Sequence, residues 1–379
     1  MNFLSEGQQM WRETVARFME QEIGCDYVLR CDSAREYPYE AYEKVVKAGW
    51  LRLLIPEAQG GDGGSIFEYA LMCEGLARYG FDFATAFMVS TFTAMNIVKF
   101  GTRDQKERYL PAFMRGDIRF SISISEPSSG SDAASTRTRA QLGEQGWLIK
   151  GQKLWCSGAA AHNVIIAMLV RTEATSSKQR GLSVLLVPND TPKISIRKLP
   201  TMARRATGTT EIFLDDVAVP RENLLGEAGG GWSIITDHLE LERIAVSAAY
   251  VGNAQQAVSD ALRYAHERVQ FERPIFEFQA IKHMLADMQT SVDAARLLVY
   301  RAADMASRKQ HCTREVSMAK LFASETLQTV TRQGMQILGG HGMLPESNME
   351  RYFREGMQAT IGGGTSQIQR NIIAKTMRT

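Results

Sequence analysis

The stretch F-S-I-S-I-S-E-P-S-S-G-S-D, residues 120–132, decides how this chain is read. Phe120, Ile122 and Ile124 alternate with Ser121, Ser123 and Ser125, the period of a half-buried strand with one hydroxyl-bearing face. Glu126-Pro127 stops that strand, and a loop of Ser, Gly and Asp follows. Small residues there let backbone N–H groups and hydroxyls come close to a flat polar ligand or a phosphate. The same composition also makes ordinary turns, so the loop takes its meaning from the rest of the chain.

Upstream, residues 1–117 read as helical. Trp11, Val15, Phe18 and Met19 recur at helical spacing, as do Tyr42, Val45, Val46 and Trp50. A glycine-rich loop at 55–64 separates these from further helices over 67–79, 84–100 and 103–114. Downstream the period changes to short β-branched or aliphatic runs at 147–149, 164–170, 182–187, 194–196 and 212–214. Turn signals separate them, which predicts a small β-barrel or sandwich. After Gly226 the chain returns to helix at 232–266, 279–307, 314–338 and 365–377, an antiparallel four-helix arrangement. The expected fold class is therefore α+β: an N-terminal helical domain (1–117), a middle β domain (118–222) and a C-terminal helical bundle (223–379).

At 379 residues the chain exceeds one ordinary core, and 44% apolar with 23% charged residues is the balance of a globular protein. A net charge of +2 with interspersed signs gives no support to a nucleic-acid or anionic-membrane surface. The five cysteines are scattered without C-x-x-C spacing and the six histidines form no H-x-x-x-H pair, so no metal site is expected. Reduced cysteines fit a cytoplasmic protein. Glu6 and Arg12 interrupt any apolar leader, and the longest apolar run, 164–170, is too short to cross a bilayer, so no membrane partner is expected.

Three features could carry chemistry. Trp155-Cys156-Ser157-Gly158 is a second small-residue site at a predicted strand end, where a tryptophan is either core or a ligand contact. On the helix from Trp232, Glu242 falls on the stripe of Ile235, Leu239, Val246 and Ala249, whereas Glu240 falls among Thr236, Asp237, Arg243 and Ser247. An acid in an apolar stripe is either half of a buried ion pair or a base whose proton affinity is raised by desolvation. Lastly, Gly362-Gly363-Gly364 precedes Thr365, a candidate N-cap whose helix start would favour anions or polar ligand edges.

With these on the page the chain resembles the acyl-CoA dehydrogenase family over its whole length. The resemblance rests on S-E-P-S-S-G-S-D at 125–132, K-L-W-C-S-G at 153–158, L-E-R at 241–243, E-R-V-Q-F at 267–271, Q-A-I-K-H-M-L-A-D-M at 279–288, Q-I-L-G-G-H-G at 336–342 and G-T-S-Q-I-Q-R at 364–370. It implies a homotetramer with non-covalent FAD between the middle and C-terminal domains, an acyl-CoA substrate and an electron-transferring flavoprotein as acceptor. By motif, Ser125, Gly130, Ser131, Trp155 and Ser157 resemble the residues around the isoalloxazine, with Ser131 also near CoA. Arg268, Phe271, Gln279, Gln336, Gly339 and Gly340 resemble the set at the adenine and pyrophosphate end, largely across a subunit boundary. Thr365 and Gln367 resemble the last FAD contacts.

Many relatives carry the catalytic Glu in Y-E-G-T, where this chain has Gly362 and Gly363. A branch similar to isovaleryl-CoA and crotonobetainyl/γ-butyrobetainyl-CoA dehydrogenases places it just before the Arg of the long helix, which is Glu242 here. Glu242 is then the expected base, with the Gly363 N–H polarising the thioester and Arg243 and Gly364 beside the substrate. His238, one turn earlier, is the fallback base or else a surface or hydrogen-bonded residue. The glycines at 362 and 363 predict extra room and hence a short branched, bulky or polar acyl group. The competing expectation on the same fold is a flavin-dependent oxidase or monooxygenase, or a dehydrogenase of a carrier-protein-bound acyl group.

Overall fold

Helix starts in the first third are written in the local sequence. Ser5, Ser65 and Thr102 each accept an N–H bond from the third helical residue, while Gln8, Glu68 and Gln105 reach back to the cap N–H. The computed structural model, which describes residues 4–175 and 177–377, places α1 at Glu6–Phe18, α2 at Cys25–Ala34, α3 at Tyr39–Lys47, α4 at Ile66–Leu76, α5 at Phe81–Phe100 and α6 at Arg103–Met114. The strands are β1 (Arg119–Ser123), β2 (Arg139–Gly143), β3 (Gly146–Ser157), β4 (Val164–Arg171), β5 (Leu182–Pro188), β6 (Ile194–Lys198), β7 (Thr209–Val219) and β8 (Leu224–Leu225). They join in one eight-stranded sheet of order β6-β7-β3-β2-β4-β5-β8, with β1 parallel to β4. The helical remainder is α7 (Gly231–Glu267), a hairpin of β9 (Val269–Gln270) and β10 (Arg273–Pro274), α8 (Gln279–Ser307), α9 (Thr313–Leu338), α10 (Asn348–Ala359) and α11 (Ser366–Thr376).

Two compact units result, each discontinuous in sequence. One is built from Met1–Asp32, Ser65–Thr85 and Arg243–Thr379, the other from Ser33–Gly64 and Ala86–Glu242. In the second unit β4 and β5 are buried almost end to end, which explains their uninterrupted apolar runs. Ser90 on α5 both donates to and accepts from the Phe120 backbone at 3.0 Å, anchoring β1. β1 corrects the half-buried reading: Ser121 and Ser123 are as buried as Phe120. On that face Ser121 is satisfied internally, donating to the Ser157 carbonyl at 2.6 Å.

In the first unit α4 and α7 touch backbone to backbone. A Cβ on Gly252 would stand 1.9 Å from the Glu74 carbonyl oxygen, so only glycine fits. Glu74 in turn holds Arg296 and Tyr300 of α8 at 2.9 Å each. α10 is an element the periodicity misses. Its buried face includes Arg351, Arg354 and Glu355 beside Met349 and Tyr352, so no apolar stripe marks it. Those charges meet others: Arg354 binds Asp32 at 2.6 Å, and Glu355 accepts the Asp82 N–H at 3.1 Å. Burial, then the charge of Asp82, push Glu355 up to about 8 against the pull of Arg351.

Two outcomes follow from this packing. Gly252→Ala is expected to lower stability by about 1–3 kcal/mol through overpacking, read as a fall in Tm at unchanged helix content. Glu355 holds a proton in the folded state between its ordinary 4.5 and about 8, so its stabilisation is full below that window and lost as pH rises through it. Glu355→Gln should therefore flatten the fall of Tm across that window; an unchanged slope would show that another group sets it.

Candidate active site

The polar loop after β1 is held by a buried ion pair. Lys153 Nζ lies 3.0 Å from Glu126 Oε1, and their side chains are 0% and 4% exposed. Lys153 also donates to the Ile124 carbonyl, and Glu126 accepts the N–H groups of Arg137 at 2.7 Å and Thr138 at 2.9 Å. Burial pulls the Lys153 ammonium down to about 8 although Glu126 opposes it. Burial would raise Glu126, but Lys153 and the donors from Thr138 and Arg137 outweigh that and hold it below its ordinary value. Neither residue was singled out from the sequence. The available signal was parity: Trp147, Ile149 and Lys153 share one face of β3, and a lysine on an apolar face needs a partner.

That parity ends at Trp155. The β3–β7 register shifts between Leu154 and Cys156, a bulge that turns Cys156 inward and Trp155 outward. Trp155 takes φ +64 and is 56% exposed near the end of β3, so of the two readings core is ruled out. An aromatic residue held at positive φ with its ring in the open is a strained display, of the kind retained at ligand sites. Leu154 N–H donates to the Ser125 carbonyl at 2.9 Å, setting Ser125 beside the bulge, and among the described residues the Ser125 hydroxyl forms no hydrogen bond. Gly130 and Ser131 are exposed on the adjoining loop, and a Cβ on Gly130 would meet nothing. Ser157, whose carbonyl Ser121 holds, closes β3 opposite Thr209.

On α7 the side chain of Glu242 is 21% exposed, and its Oε2 stands 3.4 Å from His238 Nε2. His238 is buried, as the surface alternative did not foresee. Its Nδ1 lies 2.9 Å from Asn96 Nδ2 on α5, and Phe92 meets the ring edge-on.

The glycine loop before α11 is fastened by its carbonyls. Arg243 Nε donates to Gly363 O at 3.1 Å, Gln369 Nε2 to Gly363 O at 3.2 Å and Gly364 O at 3.1 Å, and Lys320 Nζ to Gly364 O at 2.8 Å. Gly363 and Gly364 sit at φ +67 and +93, and among the described residues their N–H groups form no hydrogen bond. Two consecutive N–H groups without a bond at a helix start can form a nest for an anion or a developing oxyanion. Thr365 caps α11 as expected, accepting from Ile368 N–H at 3.2 Å. The end of a flexible side chain lies beside Gly362, where a Cβ would stand 2.2 Å from Gln358 Nε2.

The other candidates are surface residues. Arg268 and Phe271 belong to the β9–β10 hairpin, where Phe271 is 87% exposed at φ +50 and its ring meets Phe278 just before Gln279. Gln336, Gly339 and Gly340 end α9, near that hairpin through the Tyr264–His341 ring contact, and a Cβ on either glycine would meet nothing. Thr365 and Gln367 line a different place, a shallow polar groove of about 510 Å³ with Gln328 and Thr360. Within the unit that holds the sheet, the open backbone of Gly130, the unpaired Ser125 hydroxyl and the exposed Trp155 indole fit a flat polar ring.

Likeness to known proteins defines the class, a flavin-dependent oxidoreductase. Family models describe residues 5–117 as the acyl-CoA dehydrogenase N-terminal domain, 121–217 as its middle domain and 229–378 as its C-terminal domain. A probable acyl-CoA dehydrogenase of Bacillus subtilis, YngJ, is 37% identical with 100% of both chains covered. The caffeyl-CoA reductase-Etf complex subunit CarC of Acetobacterium woodii is 34% identical over 98% of each. The structure of butyryl-CoA dehydrogenase from Megasphaera elsdenii superposes with TM-score 0.94 at 30% identity, covering 100% of both. The chain belongs to the acyl-CoA dehydrogenase family, whose members are FAD-dependent enzymes.

Lys153→Met leaves the Glu126 carboxylate buried without its counter-charge and is expected to cost about 3–5 kcal/mol. Thermal unfolding and flavin content per chain should fall together. Adding Glu126→Gln should restore much of both, and no recovery would mean that Lys153 acts by some other route.

Proposed function

We propose that this protein oxidises a short, branched or polar acyl-CoA thioester to the 2-enoyl-CoA, with Glu242 as the base. The observation that carries this reading is the half-buried Glu242 carboxylate against His238, in a chain with glycine at both 362 and 363. A thioester α-proton is weakly acidic, so its removal needs both a placed base and a stabilised enolate. Glu242 takes the proton, and the N–H groups of Gly363 and Gly364 receive the charge growing on the carbonyl oxygen. Arg243 serves that site by gripping the Gly363 carbonyl, which turns the N–H of the same peptide unit, that of Gly364, to the opposite side. A glutamate at 363 would have to adopt φ +67, which supports a base carried elsewhere.

FAD, when bound, supplies the acceptor for the hydride leaving the β-carbon. Ser125, Gly130, Ser131, Trp155 and Ser157 are proposed to hold its ring region. Arg268, Phe271, Gln279, Gln336, Gly339, Gly340, Thr365 and Gln367 are proposed to hold the remainder, in a homo-oligomer. Ser131, with Gly363 and Gly364, is proposed to touch the acyl-CoA. The acyl preference rests on the resemblance to the helix-glutamate branch and on likeness to a butyryl-CoA dehydrogenase. The Gln358 amide beside Gly362 adds polarity. An electron-transferring flavoprotein is the proposed acceptor, supported by likeness to a subunit of an Etf complex.

Glu242→Gln is expected to retain flavin and bind acyl-CoA while anaerobic flavin reduction slows by about a hundred- to ten-thousandfold. Bleaching at the wild-type rate would remove Glu242 from the role. Reduced protein that air reoxidises quickly would instead indicate an oxidase.

A further inference from the structure

The proposed base has a neighbour that no part of the reaction yet uses. His238 is fully buried, with a side-chain exposure of 0%, on the same face of α7 one turn before Glu242. Its Nδ1 lies 2.9 Å from Asn96 Nδ2, and an amide nitrogen can only donate, so Nδ1 is the acceptor. In the neutral ring the proton therefore sits on Nε2. That N–H is an orphan: Nε2 is buried and forms no in-line hydrogen bond, and Glu242 Oε2 stands 3.4 Å away. A buried unsatisfied donor is costly, and a small rotation of the part-exposed carboxylate toward Nε2 relieves it. The edge-on Phe92 ring and the Asn96 bond fix the imidazole plane, so the donor cannot swing to another acceptor.

We propose that His238 is a positioning residue, its Nε2–H steering the Glu242 carboxylate and its tautomer set by Asn96. The proposal rests on Glu242 being the base. The ring transfers no proton in the reaction. It holds one carboxylate oxygen, so that the other is presented to the α-carbon in one rotamer. Asn96 acts one step further back, since without its donor Nδ1 could carry the proton and Nε2 would offer a lone pair to a carboxylate.

The experiment compares His238→Leu, His238→Gln and Glu242→Gln in flavin-loaded protein. Three readouts are used: the limiting rate of anaerobic flavin reduction, the Kd of an unreactive thioether analogue of an acyl-CoA, and Tm. A misplaced base costs about a hundredfold in rate. His238→Leu should show that loss with Kd within twofold of wild type. His238→Gln, whose amide nitrogen can replace Nε2–H, should recover most of the rate. Equal rates in all His238 variants and wild type, or equal impairment of the Leu and Gln forms, would overturn the positioning role while leaving Glu242→Gln inactive. Wild-type reduction by Glu242→Gln would overturn the base assignment and this proposal with it. If His238→Leu does not fold, His238→Gln decides alone: a near-normal rate supports the role, and a large loss overturns it.

Discussion

The buried contact between Lys153 and Glu126 is the constraint on which this edge of the sheet depends. Both charges are almost wholly shielded from water, so each needs the other, and geometry must be kept for the pair to remain favourable. The contact ties the first turn after β1 to β3 at the point where β3 breaks register. On one side of it lies Ser125, held by the Leu154 N–H; on the other is Trp155, turned out by the bulge. A hydrophobic pair of equal volume would fill the space without fixing the direction of either strand end. Directional bonds to Ile124, Arg137 and Thr138 make the ionic version a clamp.

A similar logic governs the glycine loop before α11. Arg243, Gln369 and Lys320 all bind carbonyl oxygens, so the peptide planes are oriented from behind. Facing away from those donors is the opposite pole of each peptide, the N–H of Gly364 and that of Thr365. Positive φ at Gly363 and Gly364 is the conformational condition for this, and a β-carbon would oppose it. The loop thus contributes main-chain polarity and no side chain. The arginine that grips the loop follows Glu242 directly on α7.

Much of this was legible along the chain. Capping boxes at Ser5, Ser65 and Thr102 are local, since donor and acceptor lie within four residues. The apolar runs of β4 and β5 and the helical stripe containing Glu242 are likewise periodic features that need no distant partner. α10 was hidden because its buried face carries Arg351, Arg354 and Glu355, whose partners Asp32 and Asp82 lie hundreds of residues earlier. The outward turn of Trp155 was hidden for a related reason. Alternation predicts a face, but a bulge is set by the pairing strand, and β7 is some fifty residues away.

The sequence by itself determined the order of helical and strand regions and the family motifs. Each of these is a matter of spacing within one segment or of order along the chain. Only the tertiary structure decided that Lys153 answers Glu126, that the Gln358 amide lies beside Gly362, and that Asn96 and Phe92 set the plane of His238 beside Glu242. Those relations join residues from different elements, and a buried polar atom's state depends on what lies within about 3 Å of it in space rather than on its neighbours in the chain.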